Sequence, residues 1–175
     1  MSARLRAGLI GLGAMGRNHA RVLSILSGVD LVGIVDPAAG TVAGPNGIPI
    51  LRSIEQLIDL GIDYAVVACP TSSHLDVGLQ LAAEDIHALV EKPLAESSSG
   101  ARQLAETFAA RGLVGAVGHV ERYNPALQNA RKRLAEGELG ELYQVVTRRQ
   151  GPFPGRIADV GVVKDLATHD IDLTA

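Results

Sequence analysis

Residues 7–16 read AGLIGLGAMG, an apolar run that passes into three glycines with the spacing G-x-G-x-x-G. This spacing is typical of a buried strand that turns abruptly into a helix. In that arrangement Gly11 allows the tight turn, Gly13 lets a pyrophosphate approach the backbone, and Gly16 lets the helix pack closely on the sheet. The N–H groups and positive dipole end at the start of the helix would bind a phosphate. The residues of this segment that we predict to form the binding site are Gly11, Gly13, Ala14, Met15 and Gly16.

A second apolar run, residues 29–35, ends in Asp36, 20 positions beyond Gly16. The chain contains 20 glycines, so the glycine spacing alone is also compatible with an ordinary Gly-rich turn that binds nothing. A carboxylate at this distance favours a dinucleotide site, because it accepts hydrogen bonds from the adenosine ribose hydroxyls. It would also repel a 2′-phosphate, and neither Pro37 nor Ala38 supplies a compensating cation. The sequence therefore predicts NAD rather than NADP as the cofactor.

Apolar runs of strand length alternate with helical patterns as far as residue 117. Such alternation predicts an α/β fold with a doubly wound parallel sheet over residues 1–117. The segment 37–49 holds three glycines and three prolines, so we expect a loop there in place of a full helix. The predicted strands are 7–10, 29–35, 63–69, 86–90 and 113–117. Two helices are predicted over residues 17–26 and 97–111. Between them we expect a brief helix that begins with a capping box at 53–56 and a longer helix that ends near residue 83.

The pattern changes after Gly118. Asn124 and Pro125 predict the start of a helix, residues 142–149 predict a strand exposed on one face, and residues 151–155 predict a loop. We interpret residues 118–175 as the start of an α+β domain that this sequence leaves incomplete.

The composition restricts the classes of partner. Hydrophobic residues make up 47% of the chain and charged residues 20%, as in globular proteins rather than disordered or fibrous ones. The net charge of −3 gives no basic field for nucleic acid or an anionic membrane. No apolar run reaches the roughly 18 residues of a transmembrane span. Cys69 is the only cysteine, which excludes an internal disulfide and predicts a reducing compartment, the cytoplasm. Because Cys69 lies in an apolar strand, we expect a buried thiol rather than a reactive one.

Two polar segments follow predicted strands at the edge where open α/β sheets bind ligands. In the first, residues 70–74, Thr71 and Ser72 could contact a cofactor or cap the next helix, and we expect Ser73 to be a cap. The second contains Glu91 and Lys92. The Lys92 ammonium could polarise a substrate oxygen or move a proton, and a surface salt bridge to Glu91 is equally compatible with the sequence.

A third polar cluster lies near residue 170. Asp165 and His169 are four positions apart, so on a helix they share a face, to which Asp172 adds another carboxylate. A carboxylate that orients an imidazole suits general acid/base catalysis of alcohol oxidation. A solubilising patch and a metal site are the alternatives. We expect no metal, because the segment offers hard carboxylates and one histidine without cysteine.

These motifs occur together and in order along essentially the whole chain. The set comprises G-x-G-x-x-G with Asp36, residues 70–74 (PTSSH), 91–93 (EKP), 122–125 (RYNP), and Asp165 with His169 and Asp170. In this set the chain resembles the Gfo/Idh/MocA family of NAD(P)-dependent sugar and inositol oxidoreductases. Residues 160–173 are similar to those of the UDP-N-acetylglucosamine 3-dehydrogenases within that family.

The resemblance implies a Rossmann domain followed by an open-sheet domain that carries substrate specificity and homo-oligomer contacts. It implies a substrate that is a sugar or cyclic polyol, including nucleotide sugars, and a catalytic group of Lys92, Asp165 and His169, with the base either Lys92 or His169. A module that binds NAD without turnover is the alternative. Because the family's remaining substrate sheet is absent, we expect these 175 residues alone to bind NAD without turning over. Further implied cofactor contacts are Pro70, Thr71, His74, Glu91 and Lys92, and implied substrate contacts are Lys92, His119, Arg122, Tyr123 and His169.

Overall fold

The computed structural model of the protein describes residues 3–38, 44–148, 161 and 163–175. The chain folds into two compact units, Met1–Val117 and Gly118–Ala175. In the first unit six parallel strands form one sheet in the order β3-β2-β1-β4-β5-β6, which confirms the predicted doubly wound α/β fold. The strands are β1 (Leu5–Ile10), β2 (Val29–Val35), β3 (Ile50–Leu51), β4 (Tyr64–Val67), β5 (His87–Val90) and β6 (Gly115–Val117).

Helices cover both faces of this sheet, which is why its central strands are apolar without alternation. Leu9 of β1 and Val66 of β4 face the side covered by the first helix, whereas Ile10 and Val67 face the other three helices. All four side chains are buried. The helices of this unit are α1 (Ala14–Leu23), α2 (Ile54–Ile58), α3 (Thr71–Ala83) and α4 (Ser98–Ala110).

The sheet order reverses between β1 and β4. The chain moves outward from β1 through β2 to β3, then returns to β4 on the other side of β1 and continues to β6. In open parallel sheets the crevice at such a reversal, at the carboxyl ends of the strands, is where a dinucleotide binds. The fold therefore presents a ligand crevice between the end of β1 and the end of β4.

Two predicted helix starts are wrong. Helix α1 begins at Ala14, with Gly13 as its N-cap, rather than at residue 17, because the helix follows the glycine turn directly. Ser73 does not cap α3. Pro70 occupies the N-cap position, and the Ser73 N–H donates to the Pro70 carbonyl at 2.9 Å, inside the first turn. By contrast, the side chain of Ser97 caps α4 by accepting from the Gly100 N–H.

The Gly/Pro-rich segment contains a 3₁₀ turn, Pro45–Gly47, and no longer helix among its described residues. Residues 39–43 of the predicted loop lie outside the described part of the chain. Strand β3 was not predicted, since two residues are too short to show a periodicity. It pairs with β2, where Leu51 stands opposite Val35.

The regular elements in the described part of the second unit are all helical. The unit contains a 3₁₀ turn (Val120–Tyr123), α5 (Pro125–Ala135), a π-helical turn (Val163–Ala167) and α6 (Thr168–Thr174). The Asn124 side chain caps α5 at the predicted start by accepting from the Ala126 N–H.

The predicted strand at residues 142–149 is wrong for its described part. Residues 142–148 pair with no other described strand, and Tyr143 and Val146 are exposed. Without a hydrogen-bonding neighbour an apolar alternation cannot form a sheet. Arg149 and the predicted loop at 151–155 lie outside the described residues. Across the ranges that are described, no helix has the length and apolar character needed to cross a membrane.

Candidate functional site

The glycine turn joins β1 to α1 at the crevice. Gly11 has a φ of +95°, and a Cβ atom there would lie 2.6 Å from the Ala68 carbonyl oxygen. At Gly16 a Cβ atom would collide with the Gly11 carbonyl oxygen, whereas its nearest neighbour in the sheet would be the Ala68 Cβ at 4.0 Å. Helix–sheet packing was the predicted reason for a glycine at position 16. The structure shows instead that Gly16 is required mainly because a side chain there would collide with the backbone of the turn.

Gly13 differs from these two glycines because it is not tightly packed. A Cβ atom there would meet nothing within 4 Å, and its φ of −65° suits any residue. Gly13 supplies no side-chain cap to α1, so the start of the helix is left open to an anion. Ala14 and Met15, the first two helical residues, are exposed at this position.

The two glycines Gly13 and Gly16 give a matched pair of variants. We expect Gly13→Ala to keep the melting temperature of the protein and to weaken NAD binding about tenfold or more, because the methyl group occupies the approach of the pyrophosphate. Gly16→Ala should instead lower the melting temperature, since its Cβ collides with backbone. Thermal unfolding and calorimetric titration with NAD check both. Equal NAD affinity in Gly13→Ala and wild type would contradict the placement of the pyrophosphate.

Asp36 follows β2, next to the glycine turn. Its Oδ2 accepts from the Leu12 N–H at 2.7 Å, and its Oδ1 accepts from the Ala38 N–H at 2.9 Å. These two bonds fix the carboxylate at the carboxyl end of β2. Each carboxylate oxygen can accept a second hydrogen bond, so both remain able to accept from ribose hydroxyls.

Two arginines bond to backbone carbonyls of the segments around Asp36, and the sequence analysis missed both contacts. Arg17 Nη1 donates to the Leu12 carbonyl at 3.1 Å, and Arg52 Nη1 lies 3.5 Å from the Pro37 carbonyl oxygen. Arg52 comes directly after β3, and the pairing of β3 with β2 brings it beside Asp36. A guanidinium therefore lies beside the residue that follows Asp36, although none is adjacent to it in sequence.

The end of β4 contributes Cys69, Pro70 and Thr71. Pro70 begins α3, and Thr71 is buried. Burial raises the pKa of the Cys69 thiol to about 11, so the thiolate population at neutral pH is small. This supports the prediction of an unreactive thiol.

His74, a predicted cofactor contact, is buried against the protein backbone. It is 1% exposed. Its Nδ1 lies 2.9 Å from the Pro93 carbonyl oxygen and its Nε2 lies 3.0 Å from the Cys69 carbonyl oxygen. Both ring nitrogens therefore face protein carbonyls, and His74 links the end of β4 to the segment after β5. Its contact with the cofactor stays a prediction.

Glu91 and Lys92 follow β5 at the same edge of the sheet. The Glu91 side chain is 8% exposed and lies 2.7 Å from Nε2 of His19 on α1. Its other oxygen, Oε2, accepts from the backbone N–H of Lys92 at 3.3 Å. The sequence analysis missed His19, because nothing in its local sequence connects it with residue 91. Lys92 is partly exposed.

In the second unit the polar side chains gather around Asp172, whose side chain is 8% exposed. Arg122 Nε donates to Oδ2 at 2.9 Å, and its Nη2 donates to Oδ1. His119 Nδ1 stands 3.5 Å from Oδ2. The hydrogen bond from Arg122 holds the pKa of the Asp172 carboxyl below its ordinary value, with the charges of His119 and His169 acting in the same direction. Arg122 is thus engaged by the protein itself.

The other predicted site residues of the second unit are His169, Tyr123 and Asp165. His169 lies in α6 and is partly buried, whereas Tyr123 is 78% exposed. Asp165 belongs to the π-helical turn, and its side chain lies outside the described part of the chain. Lys92 belongs to the first unit and His169 to the second. Their assembly into one catalytic group therefore stays a proposal. Among the described residues no three His, Cys, Asp or Glu side chains are grouped to hold a metal ion.

The Asp172 ion pair predicts a pH dependence. Its folded-state pKa is lowered, so its contribution to stability is present above the ordinary carboxyl pKa of 3.8 and is lost as the pH falls through the lowered value. The difference in melting temperature between wild type and Asp172→Asn should therefore shrink with acidification. A carboxyl NMR titration should give a higher Asp172 pKa in Arg122→Gln than in wild type. An unchanged pKa in Arg122→Gln would contradict this cause.

Comparison with known proteins adds independent findings. The Gfo/Idh/MocA model, described as "Oxidoreductase family, NAD-binding Rossmann fold", matches residues 5–119. The scyllo-inositol 2-dehydrogenase (NAD(+)) of Bacillus subtilis is 32% identical over 183 residues, which cover 99% of this chain and 54% of that protein. The UDP-N-acetylglucosamine 3-dehydrogenase of Acidithiobacillus ferrooxidans is 32% identical over 173 residues, covering 97% of this chain and 53% of that protein.

Solved structures are similar as well. The crystal structure of GenD2 from gentamicin A biosynthesis in complex with NAD matches with a TM-score of 0.84 at 34% identity, covering 99% of this chain and 53% of that chain. The present chain spans about half the length of the curated relatives it matches.

Proposed function

Since the chain belongs to the Gfo/Idh/MocA oxidoreductase family, with an NAD-binding Rossmann fold, we propose that it is part of an NAD-dependent dehydrogenase acting on a secondary hydroxyl of a sugar or cyclic polyol. One observation carries the proposal. At a single edge of one sheet stand the open start of α1, the Asp36 carboxylate held by two N–H groups, and Lys92 after β5.

Different residues at this edge would bind different parts of the cofactor. Asp36 at the end of β2 would bind the adenosine ribose, and the glycine turn would bind the pyrophosphate. The nicotinamide half would then extend to the other side of the reversal, toward the ends of β4 and β5. Pro70, Thr71, Glu91 and Lys92 lie at those ends, so Lys92 would stand where the substrate meets the nicotinamide.

NAD, when bound, would accept a hydride from the substrate carbon. The hydroxyl proton must then leave, and the Lys92 ammonium would polarise the oxygen while a base removes the proton. Either His169 or neutral Lys92 could be that base, with Asp165 orienting the imidazole. His119 and Tyr123 would contact the substrate, whereas Arg122 would orient Asp172, to which it is already bonded.

The substrate class rests on the relatives. One relative is named for scyllo-inositol and another for UDP-N-acetylglucosamine, and both molecules are rings that carry secondary hydroxyls. We propose the same class here, in a homo-oligomer of the cytoplasm. The single cysteine suits such a reducing compartment.

Incubation of the native-length protein with NAD and a panel of inositols and UDP-sugars tests the proposal through NADH absorbance. Formation of NADH with one substrate, and slower formation in Gly13→Ala when NAD is below saturation, would support it. NAD binding without NADH formation from any substrate would favour the alternative, a binding module without turnover. No NAD binding at all by calorimetry would overturn the cofactor assignment together with the dehydrogenase.

A further inference from the structure

Glu91 is a buried carboxylate that the proposed chemistry leaves without a task. Its side chain is 8% exposed, and its Oε1 lies 2.7 Å from Nε2 of His19. An ionised carboxylate can only accept hydrogen bonds, so the His19 ring donates here. A buried carboxylate that lost this partner would carry a large desolvation cost. The orientation of Glu91 therefore depends on His19.

The second carboxylate oxygen of Glu91 contacts the next residue, so the orientation of Glu91 affects the Lys92 backbone. Oε2 accepts from the backbone N–H of Lys92 at 3.3 Å. On the other side of Lys92, the Pro93 carbonyl oxygen lies 2.9 Å from Nδ1 of the buried His74. The two residues that flank Lys92 are thus each held by a histidine, one from α1 and one from α3.

We propose that His19 is a positioning residue for Lys92. His19 acts through the Glu91 carboxylate, which accepts from the Lys92 N–H, while His74 lies against the Pro93 carbonyl oxygen on the other side of Lys92. His19 also lies three positions after Gly16 on the helix whose start would bind the pyrophosphate. The pair therefore connects the phosphate-binding helix to the strand end that carries Lys92. The catalytic meaning of this connection rests on the proposed function.

The position of Lys92 can be measured without cofactor or substrate. The chain has only three lysines, Lys92, Lys132 and Lys164, so reductive ¹³C-methylation gives few NMR signals, which single Lys→Arg variants assign. In His19→Leu we expect the Lys92 signal to shift or broaden and the other two lysine signals to stay in place. Asn18→Leu is the matched control, since it places the same side chain at the neighbouring, exposed position of α1. It should change none of the three signals.

Rescue separates positioning from general packing. His19→Gln keeps an amide N–H near the place of Nε2, and we expect it to restore the Lys92 signal. Circular dichroism establishes that each variant folds, and His19→Asn, which is polar but too short to reach Glu91, replaces His19→Leu if the latter unfolds. A Lys92 signal identical to wild type in the folded variant would overturn the proposal. A shift that also appears in Asn18→Leu would overturn it as well.

Ligand binding gives a second readout. Because the nicotinamide half would lie toward β5 and the adenosine half toward β2, His19→Leu should weaken NAD by no more than the roughly threefold loss expected for removal of Lys92 itself, and should leave the affinity for ADP-ribose unchanged. Equal losses for both ligands would refute a local effect on the Lys92 segment. Failure of wild type to bind NAD would refute the proposed function instead, and the methyl-lysine signals would still decide the role of His19.

Discussion

In the native-length enzyme, replacing Lys92 with alanine should lower the rate of hydride transfer by about 10²–10⁴ while NAD affinity changes by no more than about threefold. The physical reason is that an ammonium or amine within hydrogen-bond reach of the reacting oxygen would act mainly in the transition state, whereas the cofactor would be bound by the glycine turn and Asp36. Single-turnover NADH absorbance measures the rate, and calorimetry measures the affinity. His169→Ala should likewise lower the rate of hydride transfer without a comparable loss of NAD affinity.

Lys132→Ala is the matched control for this experiment. Lys132 is a lysine on α5 whose side chain is 71% exposed, so its removal should leave the rate unchanged. If Lys92→Ala or His169→Ala retained a rate near that of wild type, the residue concerned would not be catalytic. A parallel loss of NAD affinity and rate would instead indicate that the residue binds the cofactor.

Asp36→Ala should weaken NAD by roughly ten- to a hundredfold and narrow the preference for NAD over NADP. A charged carboxylate that accepts from ribose hydroxyls contributes about 1.5–3 kcal/mol, and the same charge repels a 2′-phosphate. Because Asp36 also accepts from the Leu12 N–H, alanine loosens the glycine turn as well. Asp36→Asn separates these effects, since its amide oxygen can keep the Leu12 bond without the charge.

Arg52 sharpens this prediction. Its guanidinium stands beside the end of β2, 3.5 Å from the Pro37 carbonyl oxygen. Removal of the Asp36 charge would therefore leave a cation near the proposed ribose site. We expect Asp36→Asn to gain NADP affinity, and the double variant Asp36→Asn/Arg52→Gln to gain less. Calorimetric titration of both variants with NAD and NADP measures these affinities. Equal affinity of wild type for NAD and NADP would contradict the role of Asp36.

Much of the fold was predictable because it depends on local periodicity. Strand β2 runs over residues 29–35 as its apolar run predicts, and Ser97 and Asn124 cap the helices that follow them. These features involve contacts within a few residues of the chain. The strand predicted at 142–149 failed in its described part for the converse reason, since a strand exists only when another strand pairs with it.

By itself, the sequence determined the order of strands and helices, the glycine turn, and the placement of Asp36 and Lys92 after strands, because each depends on residues close in the chain. The tertiary structure alone decided which side chains meet. His19 contacts Glu91 across 72 positions, and Arg122 contacts Asp172 across 50. Likewise, the pairing of β3 with β2 brings Arg52 beside Asp36. Such contacts depend on the order of strands in the sheet and the faces on which helices pack, and no local pattern encodes either of them.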